Sequence, residues 1–125
     1  MGGQILPGLE LIREALPNRA AGLRHFKGRE EEFMRRDAAI GTCTGQALEA
    51  GALSAFRGGI KEALSGIEKE LGQPAHIYLT GGNADFLEPI SQRVETKALL
   101  SLSGLHIIAQ RWVARGAPGG VLLQP

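Results

Sequence analysis

Hydrophobic and polar positions change their period along the chain, and each change marks an element. Gln4-Ile5-Leu6-Pro7-Gly8 reads as a short strand ended by a Pro-Gly turn. Leu9, Ile12 and Leu16 then recur at helical spacing, with Pro17 predicted to stop that helix. The stretch from Asn18 to Asp37 has only a weak pattern and reads as a broken helix or loop, with Asp37 a candidate cap for the next helix. From about Thr44 to Leu71 the period is helical again. Ala47, Leu48 and Gly51 begin a stripe that Phe56, Ile60, Leu64, Ile67 and Leu71 continue. Gly58-Gly59 interrupts it, so two closely packed helices or one bent helix both fit, and Gly72 and Pro74 end the run.

"AHIYLTGG" is the strongest strand in the chain: β-branched and aromatic residues, then a glycine turn. "NADFLEPI" reads as the next helix, capped by Asn83, with Phe86, Leu87 and Ile90 facing inward. "VETKALLSLSG" holds a strand or extended segment. "GLHIIAQRWVAR" is a closing helix with Leu105, Ile108 and Trp112 on one side, and residues 116–125 form a loosely ordered tail. The result is an α/β chain whose two or three strands are too few for a self-sufficient sheet.

Composition narrows the picture by exclusion. The 125 residues suit one domain, and 43% apolar residues suit a soluble core. A net charge of +1 gives no electrostatic case for nucleic acid or an anionic membrane. The basic cluster Arg24-His25-Phe26-Lys27-Gly28-Arg29 runs straight into Glu30-Glu31-Glu32 and reads as a solvated segment. One cysteine, Cys43, forbids an internal disulfide and reads as a small packing residue. No apolar run reaches the ~20 residues of a membrane span, and the N-terminus lacks the pattern of a secretory leader, so a cytoplasmic setting is expected. The 18 glycines fall in pairs at element ends rather than at a fixed period, which points to turns and close backbone approaches.

Three short segments carry candidate chemistry. Thr80-Gly81-Gly82 follows a strand and precedes a helix, where ligands of open α/β sheets bind. Paired glycines there let a base or ribose lie against the backbone; a plain glycine turn is the bland reading. Thr42-Cys43-Thr44 stands at the start of the long helix, with hydroxyls suited to a polar ligand, or simply to capping. Gly2, Gly3, Pro7 and Gly8 form a turn able to bend toward a ligand, or a linker remnant. His25, His76 and His106 lack metal-ligand spacing with each other or with Cys43. There is no GxxxxGK[ST] loop and no convincing carboxylate pair, so these residues contain no visible catalytic set.

Taken in order, "GGQILPGLELIREAL", "IGTCTGQALEAGALSAFRGGI", "YLTGGNADFL" and "LLSLSGLHII" resemble the C-terminal half of type III pantothenate kinases, the family that includes the Bvg accessory factor proteins. The resemblance covers nearly everything from Gly2 to about Arg111; each motif is weak and the ordered set is strong. It implies a partial ribonuclease-H-like lobe of the acetate and sugar kinase, Hsc70 and actin superfamily, spanning residues 1–115. The implied reaction is ATP-dependent phosphorylation of pantothenate, the first step towards coenzyme A, assisted by Mg2+ and a monovalent cation (K+ or NH4+). Thr44 matches the threonine that contacts pantothenate, Gly81 and Gly82, with Thr80 before them, match the turn beside the adenosine of ATP, and Gly2, Gly3, Pro7 and Gly8 match the cleft-lining strand and turn. A homodimer is the implied assembly.

The sequence also departs from the family. The D-x-GN-T phosphate loop, the G-A-D-R-type segment with its catalytic aspartate and the D-x-GTA strand of the cation site are absent from these 125 residues. Phosphoryl transfer needs a phosphate cradle and a base, so the chain alone is expected to lack kinase activity, and a complementary N-terminal lobe is the expected partner. On this reading "MGGQILPG" is an internal strand and turn of a larger lobe. The rival expectation is a non-catalytic dimerisation or partner-binding module derived from that lobe.

Overall fold

The computed structural model describes residues 2–27, 39–87 and 93–115. The architecture is α/β and mostly helical, with one small parallel sheet. In chain order the elements are α1 (Leu9–Arg19), a 3-10 turn (Ala21–Phe26), α2 (Thr44–Leu71), β1 (Ile77–Leu79), a second 3-10 turn (Ala84–Phe86), β2 (Val94–Thr96) and α3 (Leu100–Ala114).

α1 runs through Pro17 instead of stopping there. Proline removes one backbone donor, yet the last turn still closes, because the Ala20 N–H bonds to the Leu16 carbonyl at 2.8 Å. The weakly patterned stretch beyond it is irregular where described, with Ala21–Phe26 forming six residues of 3-10 helix. Residues 28–38, with the acidic run and Asp37, lie outside the described residues, as do Ile90 and the tail.

Over residues 44–71 the chain is one continuous α-helix that passes through Gly58-Gly59. Each interior glycine costs about 1 kcal/mol of helix propensity, and the apolar anchors on both sides, Phe56 and Ile60, offset it by packing into the core. Gly72, at φ 68°, ends α2. The first part of the buried face is rotated from the expected stripe: Glu49, Ala52 and Leu53 are buried, while Ala47 and Gly51 are exposed. Further on, Phe56 packs into the core and Ile60 against it, as the stripe predicts.

β1 and β2 pair in parallel, with Ile77 opposite Val94, Tyr78 opposite Glu95 and Leu79 opposite Thr96. Gln4–Gly8 forms no strand, because no backbone among the described residues pairs with it. "NADFLEPI" yields only the short 3-10 turn within its described part, but Phe86 and Leu87 do face inward.

One core holds these pieces together. Leu9, fully buried, packs with Ala52, Leu53 and Phe56 of α2 and with Phe86 and Leu87; Ile12, Ile60 and Leu79 lie against the cluster. Burying a side chain such as Leu9 contributes about 2 kcal/mol, so this cluster ties α1 and α2 to the segment after β1. α3 stays outside it. Its Leu105, Ile108 and Trp112 do not face a core, and its large apolar side chains are 43% (Leu100) to 68% (Val113) exposed.

Candidate functional site

Three segments carry the candidate site residues. The first is the turn before α1. Gly8 is the N-cap of α1, in extended conformation, and its carbonyl accepts the Ile12 N–H at 3.1 Å. The next residue, Leu9, plugs the core. Gly2, Gly3, Pro7 and Gly8 are all exposed, and space is open around Gly2, Gly3 and Gly8 where a Cβ would stand.

The second segment is the start of α2. Cys43 occupies the N-cap without a side-chain capping bond and is exposed rather than packed, contrary to its expected role. The Gln46 side chain instead reaches back to the residue before the N-cap: its Oε1 accepts from the Thr42 N–H at 3.0 Å and from the Thr42 hydroxyl at 2.8 Å, which ties the approach to the first turn of α2. That arrangement leaves Thr44 exposed, with no side-chain hydrogen bond among the described residues, at the mouth of a helix whose first N–H groups lack intrahelical acceptors. Gly41 lies hard against this turn: a Cβ there would stand 2.2 Å from the Ala47 nitrogen.

The third segment is the turn at the carboxyl end of β1. Gly81 has φ 94°, a conformation that L side chains rarely adopt. Its carbonyl accepts the Ala84 N–H at 3.2 Å, opening the 3-10 turn. Open space lies over both Gly81 and Gly82. The Thr80 hydroxyl donates to the Ala98 carbonyl at 3.4 Å, which ties β1 to the approach to α3. The glycines therefore carry the open surface of this turn, and Thr80 carries its anchorage.

The structure links these segments through side chains that the sequence did not single out. Arg13 of α1 forms a fork with Glu49 of α2: Nε donates to Oε2 at 3.0 Å and Nη2 donates to Oε1. Both are buried, with side-chain exposures of 9% and 4%. Glu10 stands 3.7 Å from the same guanidinium, and Arg13 lies over the Phe86 ring at 5.6 Å. Arg57 Nε donates to the Phe86 carbonyl at 2.8 Å. The available signal was subtle: Arg13 sits one turn from Leu9, and Glu49 sits one turn from Leu53, each on an otherwise apolar face.

At the far end of α2, Glu68 accepts the Ala75 N–H at 2.9 Å and pairs with Arg93 at 3.0 Å. The backbone hydrogen bond first, and Arg93 second, hold its carboxyl below the ordinary value of 4.5. Beside β2, Glu95 pairs with Lys97 at 2.5 Å and lies 3.8 Å from His76. That pairing lowers the Glu95 carboxyl and raises the Lys97 ammonium. Among the described residues no group of three or more His, Cys, Asp or Glu is arranged to hold a metal ion, and no helix is long and apolar enough to cross a membrane.

With this geometry in place, comparison with known proteins is decisive at the family level. The family model of type III pantothenate kinase matches residues 1–65. Proteins named type III pantothenate kinase are 34% identical over 110 residues in Akkermansia muciniphila, 31% over 120 in Rhodococcus jostii and 32% over 112 in Geobacillus sp.. These alignments take in 87%, 92% and 89% of this chain but only 43%, 42% and 42% of those proteins. The chain belongs to the type III pantothenate kinase family. It spans less than half the length of the relatives it matches, and the match falls in their C-terminal part.

Proposed function

We propose that this chain is the C-terminal, pantothenate- and nucleotide-facing lobe of an ATP-dependent pantothenate kinase, of the ribonuclease-H-like kind found in acetate and sugar kinases and actin. The whole enzyme would convert pantothenate to 4′-phosphopantothenate. The observation that carries this reading is the Thr80-Gly81-Gly82 turn, with Gly81 at φ 94° and open space over both glycines at the carboxyl end of β1. A planar base or a ribose fits a surface without Cβ atoms, so the residues present suit the adenosine part of ATP. Thr44 is the proposed pantothenate contact: its hydroxyl is exposed, and the neighbouring N–H groups of α2 suit a negatively charged or carbonyl-bearing ligand. Gly2, Gly3, Pro7 and Gly8 are the proposed cleft lining.

Mg2+ and the monovalent cation find no donor cluster among the described residues, and both would be held by a complementary N-terminal lobe. The same lobe would bring the phosphate loop and the catalytic aspartate, so this chain alone has no kinase activity. The completed enzyme would be a homodimer. The exposed apolar side chains of α3 favour a second reading, a non-catalytic dimerisation or partner-binding module.

The test is ADP formation with pantothenate and ATP, by this chain alone and after mixing with the N-terminal lobe of a relative. The expected result is turnover only in the mixture, and less of it with Thr44→Ala. Pantothenate-dependent turnover by the chain alone, well above a Thr44→Ala control, would overturn the inactive-lobe reading. A mixture that forms a complex without turnover would favour the second reading.

A further inference from the structure

We propose that Arg13 and Glu49 are positioning residues: their buried ion pair sets the Gly81-Gly82 turn relative to the start of α2, acting through Phe86. The functional value of this joint rests on the proposed role of the two glycines and Thr44. Three short spans lead from the joint to the site. Gly8 precedes Arg13 by five residues, Thr44 precedes Glu49 by five, and Gly82 precedes Phe86 by four. Along an α-helix five residues cover about 7.5 Å, so Gly8 and Thr44 are joined to the pair by about one and a half helical turns, and Gly82 is joined to Phe86 by the short 3-10 turn.

The geometry is directional in a way that apolar packing is not. The two Glu49 oxygens accept from Nε and from Nη2, which fixes the plane of the guanidinium as well as its position. The guanidinium carbon lies over the Phe86 ring, 5.6 Å from its centroid. Arg57, on the same helix as Glu49, holds the Phe86 carbonyl. Phe86 is thus gripped at its ring from α1 and at its backbone from α2, directly after the turn that presents the glycines. A buried ion pair can often be replaced by apolar side chains without loss of stability. Its forked geometry here matches a task of orientation, and that difference is measurable.

The test is amide hydrogen exchange on the full chain, comparing wild type, the double variant Arg13→Met with Glu49→Met, and Arg13→Lys. Orientation predicts that the double variant keeps a wild-type urea midpoint while the Ala84, Phe86 and Leu87 amides exchange about tenfold faster or more, with amides in the middle of α2 unchanged. Arg13→Lys keeps the charge and loses the fork, so the same three amides should accelerate there too. If the double variant does not fold, Arg13→Lys decides. Wild-type protection of those amides in a folded double variant, or in Arg13→Lys when that variant decides, overturns the proposal. Calorimetric titration of each protein with ATP separates this claim from the functional one. Absence of ATP binding by wild type together with the completed enzyme's N-terminal lobe would refute the role of the glycine turn, and the exchange data would still decide the joint.

Discussion

Gln46 accepts two hydrogen bonds from Thr42, one from its backbone N–H and one from its hydroxyl, across a single turn at the start of α2. This division of labour separates the two threonines of the Thr42-Cys43-Thr44 motif. Thr42 serves the helix, and Thr44, two residues on, is left facing solvent. Thr42→Ala should therefore lower stability by about 0.5–1 kcal/mol, the scale of one lost side-chain hydrogen bond. Thr44→Ala should leave the urea midpoint unchanged and, in the completed enzyme, raise the KM for pantothenate. Equal stability losses in the two variants would refute the separation.

The paired glycines make a similar contrast. Gly81 has a φ of 94°, whereas Gly82 has no such constraint, and neither would crowd a neighbour with a Cβ. Gly81→Ala should cost about 1–3 kcal/mol through backbone strain alone. Gly82→Ala should be close to neutral in stability yet weaken ATP binding, because its new methyl group would occupy the open surface. Thermal denaturation with and without ATP in the reconstituted enzyme checks both. Unchanged ATP affinity in Gly82→Ala would remove that residue from the nucleotide site.

Removing one partner of the Arg13–Glu49 pair should be far more damaging than removing both. Glu49→Ala leaves a guanidinium that is only 9% exposed without its carboxylate, a situation worth about 3–5 kcal/mol of lost stability. The double replacement by methionine should return the urea midpoint to the wild-type value. Urea unfolding of the single and double variants gives the coupling directly. Simple additivity would mean that the two side chains do not depend on each other.

These effects mark where the sequence was readable and where it was not. β1 was legible because Ile77, Tyr78 and Leu79 are typical strand formers followed by glycines. α2 was legible because its helical period persists over 28 residues, long enough to outweigh Gly58-Gly59. The strand expected at Gln4–Gly8 did not form, since strand propensity is realised only against a neighbouring backbone and none of the described residues supplies one. The closing helix α3 and its apolar side were legible, but the exposure of that side was not. Leu105, Ile108 and Trp112 do share a side, but what a helix side packs against is a tertiary property that its own sequence does not encode. At the site, the glycines and threonines could be named from their turn chemistry. Arg13 and Glu49 could not, because a pair 36 residues apart in sequence is visible only once two helices pack.

Acid sensitivity should trace in part to Glu68. Its carboxylate accepts the Ala75 N–H just after α2 and pairs with Arg93 at the entry to β2, so it ties the helix end to the sheet. Those contacts favour the charged form and hold its carboxyl below the ordinary 4.5. The folded chain therefore releases this proton more readily than the unfolded chain. By linkage, the stabilisation is fully present above about pH 4.5 and is lost as pH falls through the lowered folded value. Glu68→Gln keeps an acceptor for Ala75 but no charge for Arg93, so it should lower the urea midpoint at neutral pH. The gap to wild type should then narrow steadily as pH falls below about 4.5 and through the lowered folded value, where wild type also loses its charge. Glu95 is shifted in the same direction by Lys97 and adds its own acid-dependent loss. Since both proteins retain it, the difference between them isolates Glu68. A gap that stays constant across that range would show that the Glu68 carboxylate does not contribute through its charge.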